Sequence, residues 1–257
     1  FVISGYLIGG ILLREVSEKR FKFTEFYARR ARRILPALIA VVLAASAFGI
    51  VFLTSMELKA FSTSAISALG GVSNIRFWQG NGYFTPDAHF DPLLMTWSLG
   101  VEEQFYVAFP FLLLALAKLS SRTRIIVLVG LTVVSFAIAQ VMIAVDPQAA
   151  FYLLPARAWE LAIGALLACV HRETGGRSNS PQWRVEAQGA LGLALVAASI
   201  ATFNEHTPVP GWPMIAPVVG AGLLLDSRGS FVNRILLSAR PMVFIGLISY
   251  SWYLWHW

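Results

Sequence analysis

The sequence predicts an all-α fold: a polytopic membrane helix bundle of about eight spanning helices, with one further outer-face or re-entrant helix. Three observations carry this expectation. Of 257 residues, 57% are hydrophobic and only 13% are charged, about half the charge of an ordinary soluble domain. A soluble chain of this composition lacks the polar residues to cover its surface. Apolar stretches recur at lengths near the ~20 residues that cross hydrocarbon as a helix. Lysine and arginine gather in alternate loops, as they do on the inner side of a membrane.

The elements follow in order. Residues 1–13 are apolar and begin abruptly. Residues 34–54 and 125–145 are charge-free spans, whereas 97–117 carries Glu102 and Glu103, and 151–170 carries Arg157 and Glu160. Residues 187–203 and 209–225 are shorter and uncharged, and 241–257 is apolar to the chain end. Both termini lie in apolar runs, which reads as a piece of a longer protein. Residues 60–78 are ambiguous, because Ser62, Thr63, Ser64, Ser67, Gly70, Gly71, Ser73, Asn74 and Arg76 dilute their apolar character.

Charge decides that case. Residues 14–33 hold eight basic and three acidic side chains, which places them inside. If 60–78 does not cross, the basic loops around Lys118, Arg122 and Arg124, around Arg172, Arg177 and Arg184, and around Arg228, Arg234 and Arg240 also fall inside. The inner segments then hold 17 basic and six acidic residues, against three and eight elsewhere. The positive excess is accounted for by membrane orientation, without nucleic acid. Cys169 is the sole cysteine and reads as a packing residue. No repeat or linker divides the chain, so residues 1–257 form one domain.

Four groups could carry chemistry. In Tyr27-Ala28-Arg29-Arg30-Ala31-Arg32-Arg33, helical spacing puts Arg29, Arg32 and Arg33 on one face with Arg30 at its edge. Guanidinium forks suit phosphates; the plainer reading is a topology anchor on anionic headgroups. In Trp97-Ser98-Leu99-Gly100-Val101-Glu102-Glu103-Gln104-Phe105-Tyr106, Ser98, Glu102 and Tyr106 align at four-residue spacing. An acid there is costly unless paired or functional, while Glu103 is expected to meet the rim. Arg157 and Glu160 are spaced to pair, for function or for holding helices together. In Ser249-Tyr250-Ser251-Trp252-Tyr253-Leu254-Trp255-His256-Trp257, Ser249, Tyr253 and His256 share a face. His256 is either functional or a hydrogen-bonded structural residue within an aromatic belt. Asp87, His89 and Asp91 alternate in a Pro-bounded loop, which is weak support for a metal; no metal site is expected.

Taken in order, these groups resemble acyltransferase family 3. Phe1-Val2-Ile3-Ser4-Gly5-Tyr6-Leu7-Ile8, the arginine run into Ile34-Leu35-Pro36, Gly82-Tyr83-Phe84, the Trp97-to-Tyr106 stretch, Arg157-Ala158-Trp159-Glu160 and the Ser249-to-Trp257 stretch carry the likeness. The resemblance implies a ten-helix domain in the bacterial inner membrane. That domain moves an acyl group, often acetyl, from cytoplasmic acyl-CoA to a sugar hydroxyl of lipopolysaccharide, peptidoglycan or exopolysaccharide. It implies phosphate binding by Arg29, Arg30, Arg32 and Arg33. It also implies catalytic placement of Glu102, Tyr106, Arg157 and His256, alongside a histidine on a helix that would precede Phe1. The first and last helices of the family pattern are absent from this chain. Met95 stands where relatives often carry histidine. The competing class is a transporter or flippase for a lipid-linked sugar, which would leave its substrate unmodified.

Overall fold

The computed structural model describes residues 1–80, 91–175 and 180–256. The Gly82-Tyr83-Phe84 segment, Asp87, His89, Arg177 and Trp257 lie outside the described residues. Eleven α-helices are present among those described: α1 (Val2–Ser17), α2 (Phe23–Phe52), α3 (Ser55–Leu69), α4 (Ser73–Trp78), α5 (Trp97–Leu116), α6 (Ser121–Val145), α7 (Pro147–Tyr152), α8 (Leu154–Glu173), α9 (Gln182–Thr202), α10 (Ile215–Asp226) and α11 (Arg240–Trp255). No strand occurs among them.

Five helical segments are long and apolar enough to cross a membrane: Phe23–Phe52, Leu94–Leu116, Ser121–Val145, Pro147–Glu173 and Gln182–Thr202. The protein is a multi-pass membrane helix bundle. The remaining three expected spans are shorter helices, α1 and α11 of 16 residues and α10 of 12. At 1.5 Å per residue, 16 residues reach about 24 Å, short of a ~30 Å hydrocarbon core. Large apolar side chains such as Leu43, Phe48, Val133, Val141, Ile200 and Leu247 point outward and exposed, as lipid-facing residues do.

The basic segments meet at one end of the bundle. Arg172 donates to Ser17, Ser121 to Glu173, and Gln182 to the Gly229 carbonyl. The end of α1, the α5–α6 turn and the end of α8 therefore lie together, and the start of α9 lies beside the loop after α10, as the charge pattern predicts. The opposite end is marked by Trp78, whose Nε1 donates to Asp146 at 3.3 Å.

Residues 60–78 do not form one helix. A capping box starts α3: Glu57 N–H donates to the Thr54 hydroxyl while the Thr54 N–H donates to Glu57. The helix stops at Gly70, and the chain reverses through Gly71, whose φ of +68° is a conformation that suits glycine. From there α4 returns. The Gly71 elbow lies against Glu103, Asn74 against Gly100, and Trp78 reaches Asp146 at the surface. The pair α3–α4 is thus a helix hairpin packed beside α5, and neither arm is among the segments long and apolar enough to cross a membrane.

Helix α8 sits at the centre and buries a wide face, from Ala156 to Cys169. Helix α1 docks on it through small residues. A Cβ on Gly5 would lie 1.9 Å from the Leu161 carbonyl oxygen, and one on Gly164 would lie 2.0 Å from that of Val2. Close backbone approach between small residues is the usual way membrane helices gain contact. Replacing Gly164 by valine should force α1 off α8 and remove most monodisperse protein from a detergent extract. Gly130, whose Cβ would meet nothing within 4 Å, should accept valine without that loss; equal yields for the two variants would contradict the packing described.

Candidate active site

Helices α1, α2 and α5 converge on one carboxylate. Glu102, on the second turn of α5, accepts from Ser4 Oγ at 2.7 Å and from Tyr106 OH at 2.8 Å. The four-residue spacing lays Tyr106 one turn below Glu102, so the alignment read from sequence is real for this pair. Ser98, the third member of that row, turns elsewhere: its hydroxyl meets Tyr253 OH at 2.7 Å and ties α5 to α11. Tyr253 also donates to the Met95 carbonyl.

Arg30 completes the cluster. Its guanidinium lies 3.4 Å from the Tyr106 ring centroid and 3.8 Å from Glu103 Oε1. Cations bind aromatic faces more strongly where water is excluded. Tyr27 OH, one turn earlier on α2, donates to the Tyr106 carbonyl at 3.3 Å. One expectation is corrected here. Glu103 does not face the rim: the elbow at Gly71 covers it and Arg30 faces it. Glu102 is held by hydroxyls of α1 and α5.

Beside this cluster lies a cavity of about 460 Å³ between α2, α5 and the α3–α4 elbow. Tyr27, Arg30, Glu103 and Gln104 supply its polar groups, and Ile34, Leu38, Leu99 and Val107 are among its apolar ones. Arg30 Nε and Glu103 Oε1 are buried there without a hydrogen-bond partner. Buried polar atoms are ordinarily satisfied; these two are offset by the charge pairing of Arg30 with Glu103 at 3.8 Å. The far side of the elbow is pinned by an amide pair that sequence reading passed over. Gln104 Nε2 donates to Asn74 Oδ1 at 2.9 Å, and Asn74 Nδ2 donates to the Tyr152 carbonyl at 3.1 Å.

The other proposed site residues separate. Arg29 pairs with Glu15 at 2.6 Å. Arg32 and Arg33 are exposed near the basic end of α2, while Arg30 points inward, so the four arginines do not act as one set. Arg157 and Glu160 pair at 3.3 Å, both almost fully buried; the Arg157 guanidinium lies over Phe1, Trp97 and Phe151 at 5.0–5.7 Å. His256 is exposed at the end of α11, its ring stacked on Tyr253. Among the described residues no group of three or more His, Cys, Asp or Glu could hold a metal.

One histidine was missed. His171 sits on the last turn of α8, beyond the span read from hydropathy. Its Nε2 meets Asp226 Oδ1 at 2.7 Å and its Nδ1 meets Tyr6 OH at 3.0 Å. It joins α8 to α10 and α1 at the basic end. The sequence signal available was His171 and Asp226 at the ends of two apolar runs and Tyr6 within a third, with nothing to say that they meet.

The acyltransferase domain model matches residues 1–257, the whole chain. The chain belongs to this acyltransferase family. Its relatives include a Bacillus subtilis (strain 168) protein, provisionally named a peptidoglycan O-acetyltransferase. The two are 32% identical over all of this chain and 42% of that protein. The peptidoglycan O-acetyltransferase OatA of Listeria monocytogenes is 28% identical over all of this chain and 43% of its own length. An uncharacterized Haemophilus influenzae protein is 28% identical over 88% of this chain and 96% of itself. The chain thus spans less than half of the Bacillus and Listeria proteins. No solved structure matches the acyltransferase chain significantly.

Proposed function

We propose that this acyltransferase moves an acyl group, in the simplest case acetyl, from acyl-CoA at the basic end of the bundle to a carbohydrate hydroxyl presented at the opposite end. In this reading the protein lies in a bacterial inner membrane with its basic end in the cytoplasm. The observation that carries the proposal is the Ser4–Glu102–Tyr106–Arg30 cluster beside a membrane-level cavity. The naming of the Bacillus and Listeria relatives as peptidoglycan O-acetyltransferases supports a carbohydrate acceptor.

The chemistry asks little else of the site. The acceptor oxygen attacks the thioester carbonyl carbon, the C–O bond forms as the C–S bond breaks, and the hydroxyl proton ends on the CoA sulfur. A base must hold that proton in transit and donors must face the oxyanion. In this reading Glu102, an acceptor for two hydroxyls within the bundle, orients the acceptor hydroxyl. Arg30, with its unpartnered Nε, supplies positive charge at the cavity wall. Arg32 and Arg33, exposed nearer the basic end, remain available to CoA phosphates.

This division of labour predicts a split. Losing one charge-assisted contact costs about 1.5–3 kcal/mol, so Arg32→Ala or Arg33→Ala should raise the KM for acetyl-CoA roughly tenfold or more with kcat nearly unchanged. Arg30→Ala should instead lower kcat. A KM effect from Arg30 alone would place the phosphates deeper in the bundle. The test of the function itself is transfer of labelled acetyl from acetyl-CoA to a peptidoglycan or polysaccharide acceptor by the purified protein. Acceptor that crosses the bilayer unmodified, with acetyl-CoA unspent, would identify a flippase instead.

A further inference from the structure

A second cavity, about 470 Å³, opens at the basic end between α1, α5 and α6. Lys19, Lys118 and Arg124 line it above an apolar floor that includes Leu13, Leu113 and Leu114. Among the described residues no carboxylate lines it. On the flanking segments Glu18 pairs with Arg20, and Glu173 accepts from Ser121 at the start of α6. Three cations around one hollow repel each other unless an anion sits between them.

Local structure sharpens the point. Lys19 is held at φ +54°, a left-handed conformation uncommon outside glycine, which fixes the turn that brings it to the cavity. Arg124 stands in the first turn of α6, where the helix dipole favours negative charge and disfavours a guanidinium. Its Nη2 donates to the Leu119 carbonyl at 3.3 Å, and its buried Nε has no partner. Leu114, one wall residue, is 37% exposed on the outer surface of the bundle, so the cavity borders both the charged rim and the hydrocarbon.

We infer that this cavity binds the phosphate of an anionic phospholipid, with its acyl chains lying along Leu113 and Leu114. Basic pockets between membrane helices at the inner leaflet take such headgroups. The open apolar wall favours a lipid over a soluble phosphate. The inference is independent of the acyl-transfer reading.

The test uses the protein in nanodiscs containing phosphatidylcholine with graded phosphatidylglycerol, read by native mass spectrometry of the lipid that stays bound. Wild-type protein should retain one phosphatidylglycerol saturably. The combined variant Lys19→Gln, Lys118→Gln, Arg124→Gln should weaken that retention by about a hundredfold, from roughly a fivefold step per cation. Arg184→Gln with Arg234→Gln and Arg240→Gln removes equal charge from exposed sites on the same end and should change retention by less than a few-fold. Equal loss in both variants, or none in the first, would overturn the site. If adenosine 3′,5′-bisphosphate displaces the retained lipid through the same three residues, the phosphate belongs to a soluble nucleotide and the lipid assignment fails. Should the combined variant not fold, the wild type decides: retention rising linearly with phosphatidylglycerol, without saturation, overturns the proposal.

Discussion

Glu102→Gln should abolish acyl transfer while leaving the protein folded. The carboxylate accepts hydrogen bonds from Ser4 and Tyr106; the amide keeps its shape and one carbonyl acceptor but removes the charge and offers an N–H toward one of the two hydroxyls. If Glu102 orients the attacking hydroxyl or holds its proton, the loss should reach the 10²–10⁴-fold contributed by a positioned acid or base. Expression and detergent melting should stay near wild type, because each hydroxyl can turn to accept where it now donates. Parallel loss of folded protein and activity would make Glu102 a packing residue. Glu103→Gln is the informative partner. The rim position expected from sequence would make it silent, but Glu103 faces Arg30 beneath the Gly71 elbow, so the variant should lose activity partially by freeing that guanidinium.

Arg157→Met should cost stability more than chemistry. Both members of the Arg157–Glu160 pair are almost fully buried, and Arg157 Nε and Nη1 and Glu160 Oε1 have no hydrogen-bond partner. Their 3.3 Å approach is therefore an ion pair without aligned hydrogen bonds. Removing one partner of a buried pair strands the other charge, at about 3–5 kcal/mol. Most monodisperse protein should disappear in Arg157→Met and return in the double variant Arg157→Met, Glu160→Gln, which leaves no net charge behind. A single variant that folds fully and lacks activity would return Arg157 to the reaction centre, where the family resemblance puts it.

Much of the fold was legible because lipid and charge are read one residue at a time. Apolar length located the spans, and the Lys/Arg count argued against a crossing at residues 60–78, a stretch that breaks at the Gly71 elbow. The site was legible only where a single helix carried it. Glu102 and Tyr106 share a face by periodicity alone. Ser4, Arg30 and His171 act through partners on other helices, and no spacing within one helix encodes which neighbour it meets. Arg30 is the clearest case: on α2 it is one of four adjacent arginines, and only the approach of α5 turns it from the phosphate group to the Tyr106 ring. Glu103 failed for the opposite reason. Its exposure was judged from α5 alone, and the α3–α4 hairpin covers that face.

The central claim is that donor and acceptor meet from opposite ends of the bundle at the Glu102 cluster. Proteoliposomes with the basic end facing outward test it most directly. Labelled acetyl-CoA is added outside and a soluble glycan acceptor is sealed within. Wild-type protein should yield acetylated glycan inside the vesicles, and Glu102→Gln should yield none. Acetylated glycan formed only when donor and acceptor share a compartment would contradict it.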